Sequence, residues 1–538
     1  MSVEEEPVET VPGPPAGTSD PESGAVARPG IAAGLERALR GVWLLPALAT
    51  LALGAFRVGR PELWRDELRS WSAASRDLGD LFHLLGQTDA AVSLYYLMLH
   101  GWISVFGDSA LALRAPSVLA MAATAAMVGL IGRRLYNPQV GLVAGLLFAV
   151  IPNVSRFAQE VRPYALTLFL AGLSTLLLLR ALERANAWRV SAYGLSVALL
   201  ILMQLVMAFP LLAVHAVGAL LWARRDRAAL IKLGAAAIVG VLLASPVILI
   251  SNSQYGHQVG ALPEATLTEL TKLPARLFAS GVVAGVVVGL ALAGFARERW
   301  RPYAFAAALA LVPPAAVWVV SQGPNSYWMT RYALVSVLGF AILAAAGATA
   351  ATRMVGVRGG AAIAVAIVAL VGIPDQRAIR EVASHDIWNY PEPNPQFLNY
   401  SGLADALAAN MAPGDGIVYA ERAHFWLADL GVAYHLRGRE QPVDVFVQTT
   451  AVERGDFWPI ECDPLAACAP TQERLWLVST DWVWEEDPFN WMDPEKAELL
   501  QDRYRVEERV TTVPIGDRWT PSDFGLVLTL LVREPGSD

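Results

Sequence analysis

Residues 42–58, VWLLPALATLALGAFRV, form one almost unbroken apolar run, and about a dozen comparable runs follow before Pro374. Roughly 17–25 apolar residues are what an α-helix needs to cross the hydrocarbon core of a bilayer. Lipid offers no partners for backbone N–H and C=O groups, so a chain built from such runs folds as a helical bundle. Composition agrees: 55% of the 538 residues are hydrophobic and only 17% charged, more apolar side chain than a soluble domain buries. The formal net charge is −8, and no basic surface of the kind nucleic acid requires is evident.

Residues 1–40 begin MSVEEEPVETVPGPPAGTSDPESG, a Pro-, Gly-, Glu- and Ser-rich segment that cannot bury enough apolar surface to order itself. It is expected to be a disordered cytoplasmic tail, and it lacks the charge and cleavage pattern of a signal peptide.

Sidedness follows from arginine, because Lys and Arg near span ends concentrate on the cytoplasmic face. Five clusters are available: Arg133 and Arg134; Arg180, Arg184 and Arg189; Arg224, Arg225 and Arg227; Arg297, Arg299 and Arg301; Arg353 and Arg358. The segment SLYYLMLHGWISVF (93–106) decides their placement. With it outside the membrane as a re-entrant or surface helix, all five share a side with Arg37 and Arg40; as a span, it would put all five opposite. The expectation is therefore about eleven transmembrane helices over 41–374, with the N-terminus inside. The outer loops are then LWRDELRSW within a first external loop of about 58–115, SRFAQEVRPY, SNSQYGHQVGALPEATLTELTK and QGPNSYWMTRY.

Beyond residue 375 the apolar period changes. GIVYAER, PVDVFVQ, RLWLVST and GLVLTLLVRE alternate as strands do, and FLNYSGLADALAANM and DPEKAELLQDRY read as amphipathic helices. An extracytoplasmic α/β domain over 375–538 is expected. It contains both cysteines of the chain, Cys462 and Cys468. In an oxidising exterior their spacing suits a local disulfide, and two free thiols are the alternative.

The outer loops carry the polar chemistry. Asp66 and Glu67 are carboxylates beside the membrane surface, suited to general-base work or to holding a divalent metal; they also suit a plain helix start paired with Arg65 and Arg69. Arg162, next to Glu160 in FAQEVRPYAL, and Arg331, next to Tyr332 in SYWMTRYAL, offer forked donors that match phosphate oxygens; headgroup contact is the simpler role. Glu160, Tyr164, Tyr332 and Tyr95 of the SLYY segment are the accompanying candidates for substrate contact. His257 is a metal-ligand candidate together with Asp66, or a proton shuttle, or simply a solvated loop histidine. No HExxH, CxxC pair, P-loop or dinucleotide fingerprint occurs.

The order of these parts resembles the GT-C class of polyprenyl-phosphate-sugar-dependent glycosyltransferases, in particular the family of protein O-mannosyltransferases and the aminoarabinose transferases of lipid A. The likeness covers roughly residues 40–350: a first span, an outer loop with a DE pair, the segment SLYYLMLHGWISVFGDSALALRAPS, the turn EVRPYAL, a late RY, and an external C-terminal domain. Members often carry a Pro-Pro-Leu-Tyr-like element before the paired tyrosines, where this chain has DAAVSLYY. The resemblance implies a hexosyl- or pentosyltransferase of the cell membrane, with a polyprenyl-phosphate sugar as donor and a glycan, lipid or protein hydroxyl as acceptor. It implies Asp66 as the acidic residue that activates the acceptor, Glu67 as its partner, and inversion by single displacement; His257 lies where some relatives supply a metal ligand. The residues alone leave other classes open. A transporter or lipid flippase would place its ionisable groups inside the spans, and a non-catalytic envelope-assembly protein could bind glycolipid without reacting it.

Overall fold

The computed structural model describes residues 41–258, 262, 264–294, 300–356, 359–382, 398–422, 427–482, 487–490, 492–511 and 524–536. The tail expected over 1–40 lies outside them.

Among these residues, five helices are long and apolar enough to cross a membrane: Ala110–Leu135, Tyr164–Glu183, Leu205–Ala223, Trp300–Val320 and, nearly all of it, Ser336–Val355. Three further candidates are bent pairs. Pro138–Val150 and Pro152–Ala158 meet at 67°, Arg227–Leu243 and Ser245–Gln254 at 54°, and Leu267–Phe278 and Gly281–Ala293 at 92°. Each break has a local cause. Pro152 holds Ile151 extended and starts the next helix without needing an N–H donor. Ala279 is left-handed, at φ 51°, and Ser280 then caps the second helix of its pair by accepting from Val283 N. Leu44–Ala55, Ala90–Phe106, Ala187–Met203 and Gly360–Val371 are shorter apolar helices. The loops read over 155–164 and 251–272 are partly helical, since Pro152–Ala158 and Ser245–Gln258 run into them and Leu267–Phe278 begins inside the second.

Helices in lipid gain little from burying apolar surface and rely on close packing instead, which small residues permit. A Cβ on Gly141 would strike the backbone oxygen of Gly129, so these two helices touch main chain to main chain. Large apolar side chains such as Ile231 and Leu249 point outward, 71% and 70% exposed, as a lipid-facing surface requires.

Arg134 and Arg189, from two of the arginine clusters, both pair with Glu183. The α/β domain shares an apolar core with the bundle. That domain has a five-stranded sheet of order β2 (Val443–Asp444), β1 (Gly416–Tyr419), β5 (Arg474–Trp482), β7 (Phe524–Arg533), β6 (Tyr504–Thr511). β1 is parallel to β2 and β5, and the β5–β7 and β7–β6 pairs are antiparallel. β3 (Val447–Thr449) and β4 (Ile460–Glu461) form a separate antiparallel pair. Strand alternation divides the side chains between two cores. Ile417, Tyr419, Trp476 and Val478 join an apolar cluster continuous with the membrane bundle. Val418, Leu475, Leu477 and Leu531 fill the opposite face with Leu500 and Tyr504. Cys462 and Cys468 are joined as a disulfide, with Cα atoms 6.1 Å apart.

Candidate active site

The segment LWRDELRSWS is a helix, Arg65–Ala74, and its two acids sit in the first turn, where the helix dipole favours negative charge. They face different surroundings. Glu67 is fully buried and saturated: Oε1 accepts from Arg114 Nε at 2.9 Å and from Val161 N at 2.8 Å, and Oε2 accepts from Arg114 Nη2 at 2.7 Å. Arg114, also fully buried, spends its remaining donors on the backbone oxygens of Val58 and Pro61 at 2.8 Å and of Glu62 at 3.1 Å. Gln159 Nε2 reaches back to the oxygens of Gly54 and Phe56, both at 2.8 Å. This knot fixes the end of the first apolar helix, the start of the Arg65–Ala74 helix and the turn at 159–163 relative to one another.

Asp66, one residue earlier, faces two cations at a looser distance. Its Oδ2 lies 3.9 Å from Arg162 Nη2 and 3.8 Å from Arg331 Nη2. Both arginines keep a buried Nε without a hydrogen-bond partner. Arg162 Nη1 makes only long contacts, 3.4 Å to Asp66 O and 3.5 Å to Ser70 Oγ and Tyr96 Oη. The guanidinium of Arg331 stands 5.8 Å from the ring centre of Tyr164. Two forked cations with donors in reserve thus stand beside one carboxylate, with donors of the kind that match phosphate oxygens.

Burial by itself would push the Asp66 carboxyl up. The guanidiniums of Arg162 and Arg331, helped by Arg69 and Arg65, outweigh it and hold the group down at about 2, so it is ionised. Glu160 differs. Burial drives its carboxyl up to about 7, against the pull of Arg156 at 3.7 Å and with the nearby Glu67 adding to the rise. Neither of its side-chain oxygens has a hydrogen-bond partner.

Of the residues singled out from sequence, Asp66, Arg162, Arg331 and Tyr164 come together. Glu67 turns away from them into the knot with Arg114. Tyr95 is buried beside Tyr96, ring centres 5.9 Å apart, and Tyr332 is half-buried in the short turn Thr330–Ala333. His257 falls in the helix Ser245–Gln258, and its side chain lies outside the described residues. Among the described residues no group of three or more His, Cys, Asp or Glu side chains gathers as a metal would need. The neighbours of Asp66 are cations, which do not suit a second positive ion. Sequence reasoning passed over Arg114, Tyr96 and Asp89, the last accepting from Tyr96 Oη at 2.7 Å. The signal for Arg114 was present, since an arginine within an apolar helix requires a partner.

With this geometry in view, the class of fold can be stated. Residues 93–250 match the family of dolichyl-phosphate-mannose-protein mannosyltransferases. Over nearly its whole length the chain shares its fold with ArnT from Cupriavidus metallidurans. The apo structure of that protein aligns with a TM-score of 0.57 at 13% identity, covering 93% of this chain and 98% of that one. The same protein bound to undecaprenyl phosphate aligns with a TM-score of 0.57 at 12% identity, covering 94% and 98%. No curated protein matches by sequence. The resemblance read from the motifs is thus met by a family match over 93–250, which indicates a glycosyltransferase, and by a shared fold.

Proposed function

We propose that this protein transfers a sugar from a polyprenyl-phosphate donor to an acceptor hydroxyl at the outer face of the cytoplasmic membrane, inverting the anomeric carbon, with Asp66 as general base. The observation that carries this reading is the Asp66 carboxylate set between Arg162 and Arg331 at 3.9 and 3.8 Å. ArnT bound to undecaprenyl phosphate supports a polyprenyl-phosphate-linked donor. The tail of such a donor stays in lipid while its phosphate enters between the two arginines. Asp66 takes the proton of the acceptor hydroxyl as that oxygen bonds to the anomeric carbon. The bond from that carbon to the phosphate oxygen breaks, and the arginines stabilise the charge that collects on the departing phosphate. A carboxyl held near 2 is a weak base. Once the phosphate engages the arginines, less of their charge acts on Asp66, and its basicity rises when donor is present. Glu67 and Arg114 position the loop without touching substrate.

Counting the five long helices, the three bent pairs and three of the shorter helices as spans, with Ala90–Phe106 kept out of the membrane, is compatible with a map of about eleven spans. On that map the N-terminus lies inside and the α/β domain outside, a reading supported by the bias of arginine toward one side. Single cysteines at Ser253 and Asn410 should then react with an impermeant thiol reagent in intact cells, and one at Asn186 should not; labelling at Asn186 with silence at Ser253 sinks the map. The activity is tested with detergent-solubilised protein and polyprenyl-phosphate-linked sugars, by following release of polyprenyl phosphate. Release that needs both acceptor and Asp66 is the expected result, and no release with any donor overturns the reading.

A further inference from the structure

Behind Arg162 a chain of polar contacts runs to Tyr96 and Asp89, two residues that the mechanism above does not use. Arg162 Nη1 is ringed by three oxygens at long range, Asp66 O at 3.4 Å and both Ser70 Oγ and Tyr96 Oη at 3.5 Å. The arginine side chain is only 12% exposed, so these oxygens rather than bulk water set its direction. Both hydroxyls have already committed their protons. Ser70 Oγ donates to Asp66 O at 3.1 Å, and Tyr96 Oη donates to Asp89 Oδ2 at 2.7 Å. Each is therefore left to offer lone pairs to the arginine. Tyr96 is fully buried. Burial, with the Asp89 carboxylate adding to it, pushes its hydroxyl well above the usual tyrosine range, so it keeps the proton that it shares with Asp89.

The backbone at Asp89 is unusual. It is left-handed, at φ 57°, in a region that most side chains avoid and that Asp, Asn and above all Gly enter most readily. Asp89 lies between the helix Leu78–Gln87 and the short turn Ala90–Val92, and this junction is fixed from far along the chain. Ala90 N donates to Gln254 Oε1 at 3.0 Å, and Gln254 Nε2 donates to Leu85 O at 2.8 Å, one of the carbonyls that a helix end leaves without an internal partner. Gln254, in the helix Ser245–Gln258, is itself only 4% exposed. Were the turn all that mattered, glycine would make it at lower cost. A left-handed aspartate held by a buried, distant side chain points to a role for its own carboxylate.

We infer that Asp89 is a positioning residue: by accepting from Tyr96 it turns the lone pairs of the tyrosine oxygen toward Arg162, and so fixes the guanidinium that takes the donor phosphate. This role stands on the donor site proposed above. Calorimetric titration of full-length, detergent-solubilised protein with farnesyl phosphate, a short polyprenyl phosphate, tests it without turnover, with melting temperature measured alongside. Asp89→Gly keeps the left-handed turn and removes the acceptor. Binding should weaken roughly fivefold to tenfold, the share of one hydrogen bond, while relief at the left-handed position keeps the melting temperature near that of the wild type. Asp89→Asn retains an acceptor oxygen and should fall between the two. Tyr96→Phe should weaken binding about as much as Asp89→Gly, and the double variant no more than either alone, since both remove one connection. Arg162→Ala should weaken it most. Wild-type binding by Asp89→Gly, with Arg162→Ala impaired, overturns the inference and leaves the donor site standing. So does an additive loss in the double variant, which would mean that Asp89 reaches the phosphate without Tyr96. Undiminished binding by Arg162→Ala would remove the donor site, and the role of Asp89 with it.

Discussion

Two clusters of buried charge lie side by side around the first turn of the Arg65–Ala74 helix, and consecutive residues belong to each. Around Glu67 the contacts to Arg114 and Val161 are 2.7–2.9 Å, both carboxylate oxygens are used, and Arg114 divides its donors between Glu67 and three backbone carbonyls. Around Asp66 the nearest cations stand almost 4 Å away and keep donors unspent. A buried ion pair is tolerated only when hydrogen bonds satisfy what remains of each partner. The Glu67 cluster meets that condition and the Asp66 cluster does not. A closed cluster holds shape; an open one is an arrangement waiting for another group.

The contrast breaks most sharply with Asp66→Asn. The amide keeps the size of the side chain and loses the basic oxygen, so transfer should fall by roughly 10²–10⁴ with thermal stability nearly unchanged; wild-type turnover would move the base elsewhere, with Glu160 next to examine. In the closed cluster, Arg114→Ala leaves the Glu67 charge buried without its partner and should cost about 3–5 kcal/mol, read as a large drop in melting temperature and yield. A stable, well-expressed Arg114→Ala protein would show that the knot does not hold the loop. Arg162→Ala and Arg331→Ala each remove charged donors worth about 1.5–3 kcal/mol. Donor KM should rise roughly tenfold to a hundredfold, with a smaller effect on stability than in Arg114→Ala.

The smallest effect concerns pH. The Glu160 carboxyl is raised in the folded protein, from an ordinary 4.5 to about 7. Folded protein therefore holds this proton longer than unfolded chain does, and the contribution to stability is full below about pH 4.5 and lost as pH rises through about 7. Asp66 has the opposite sign: its contribution is present above the usual carboxylate range and lost only as pH falls toward about 2. Unfolding free energy should fall between pH 5 and 7.5 by an amount on the order of 1–3 kcal/mol, read as a lower melting temperature, and Glu160→Gln should flatten that slope. An unchanged slope would mean that Glu160 is not buried in the way described.

Much of this was legible in the sequence, for reasons particular to each part. Hydropathy marked the membrane helices because lipid-facing and buried positions are both apolar. Arg162 and Arg331 stood out because, on the expected topology, they run against the inside bias of positive charge. The runs GIVYAER, RLWLVST and GLVLTLLVRE are strands β1, β5 and β7, close to where alternation put them. β6 was missed because Arg505, Glu507, Glu508 and Arg509 give an edge strand little apolar pattern, and PVDVFVQ is divided between β2 and β3. The parting of Asp66 from Glu67 could not be read at all, since neighbours on a helix differ by about 100° in direction and only the packed chain says what lies along each.

One carboxylate ties the chain's parts together more firmly than a division into membrane and soluble portions suggests. Glu62 accepts from Ser401 N and Oγ at 2.8 and 2.9 Å and lies 3.1 Å from His435 Nε2, while its backbone oxygen takes a donor from Arg114. The C-terminal domain is thus anchored in the same few residues that set the loop carrying Asp66. It is no detachable cassette: exchanging it for another domain, or ending the chain near residue 375, would strip Glu62 of its partners. The loop beneath would then be altered by a change that never touches its own residues.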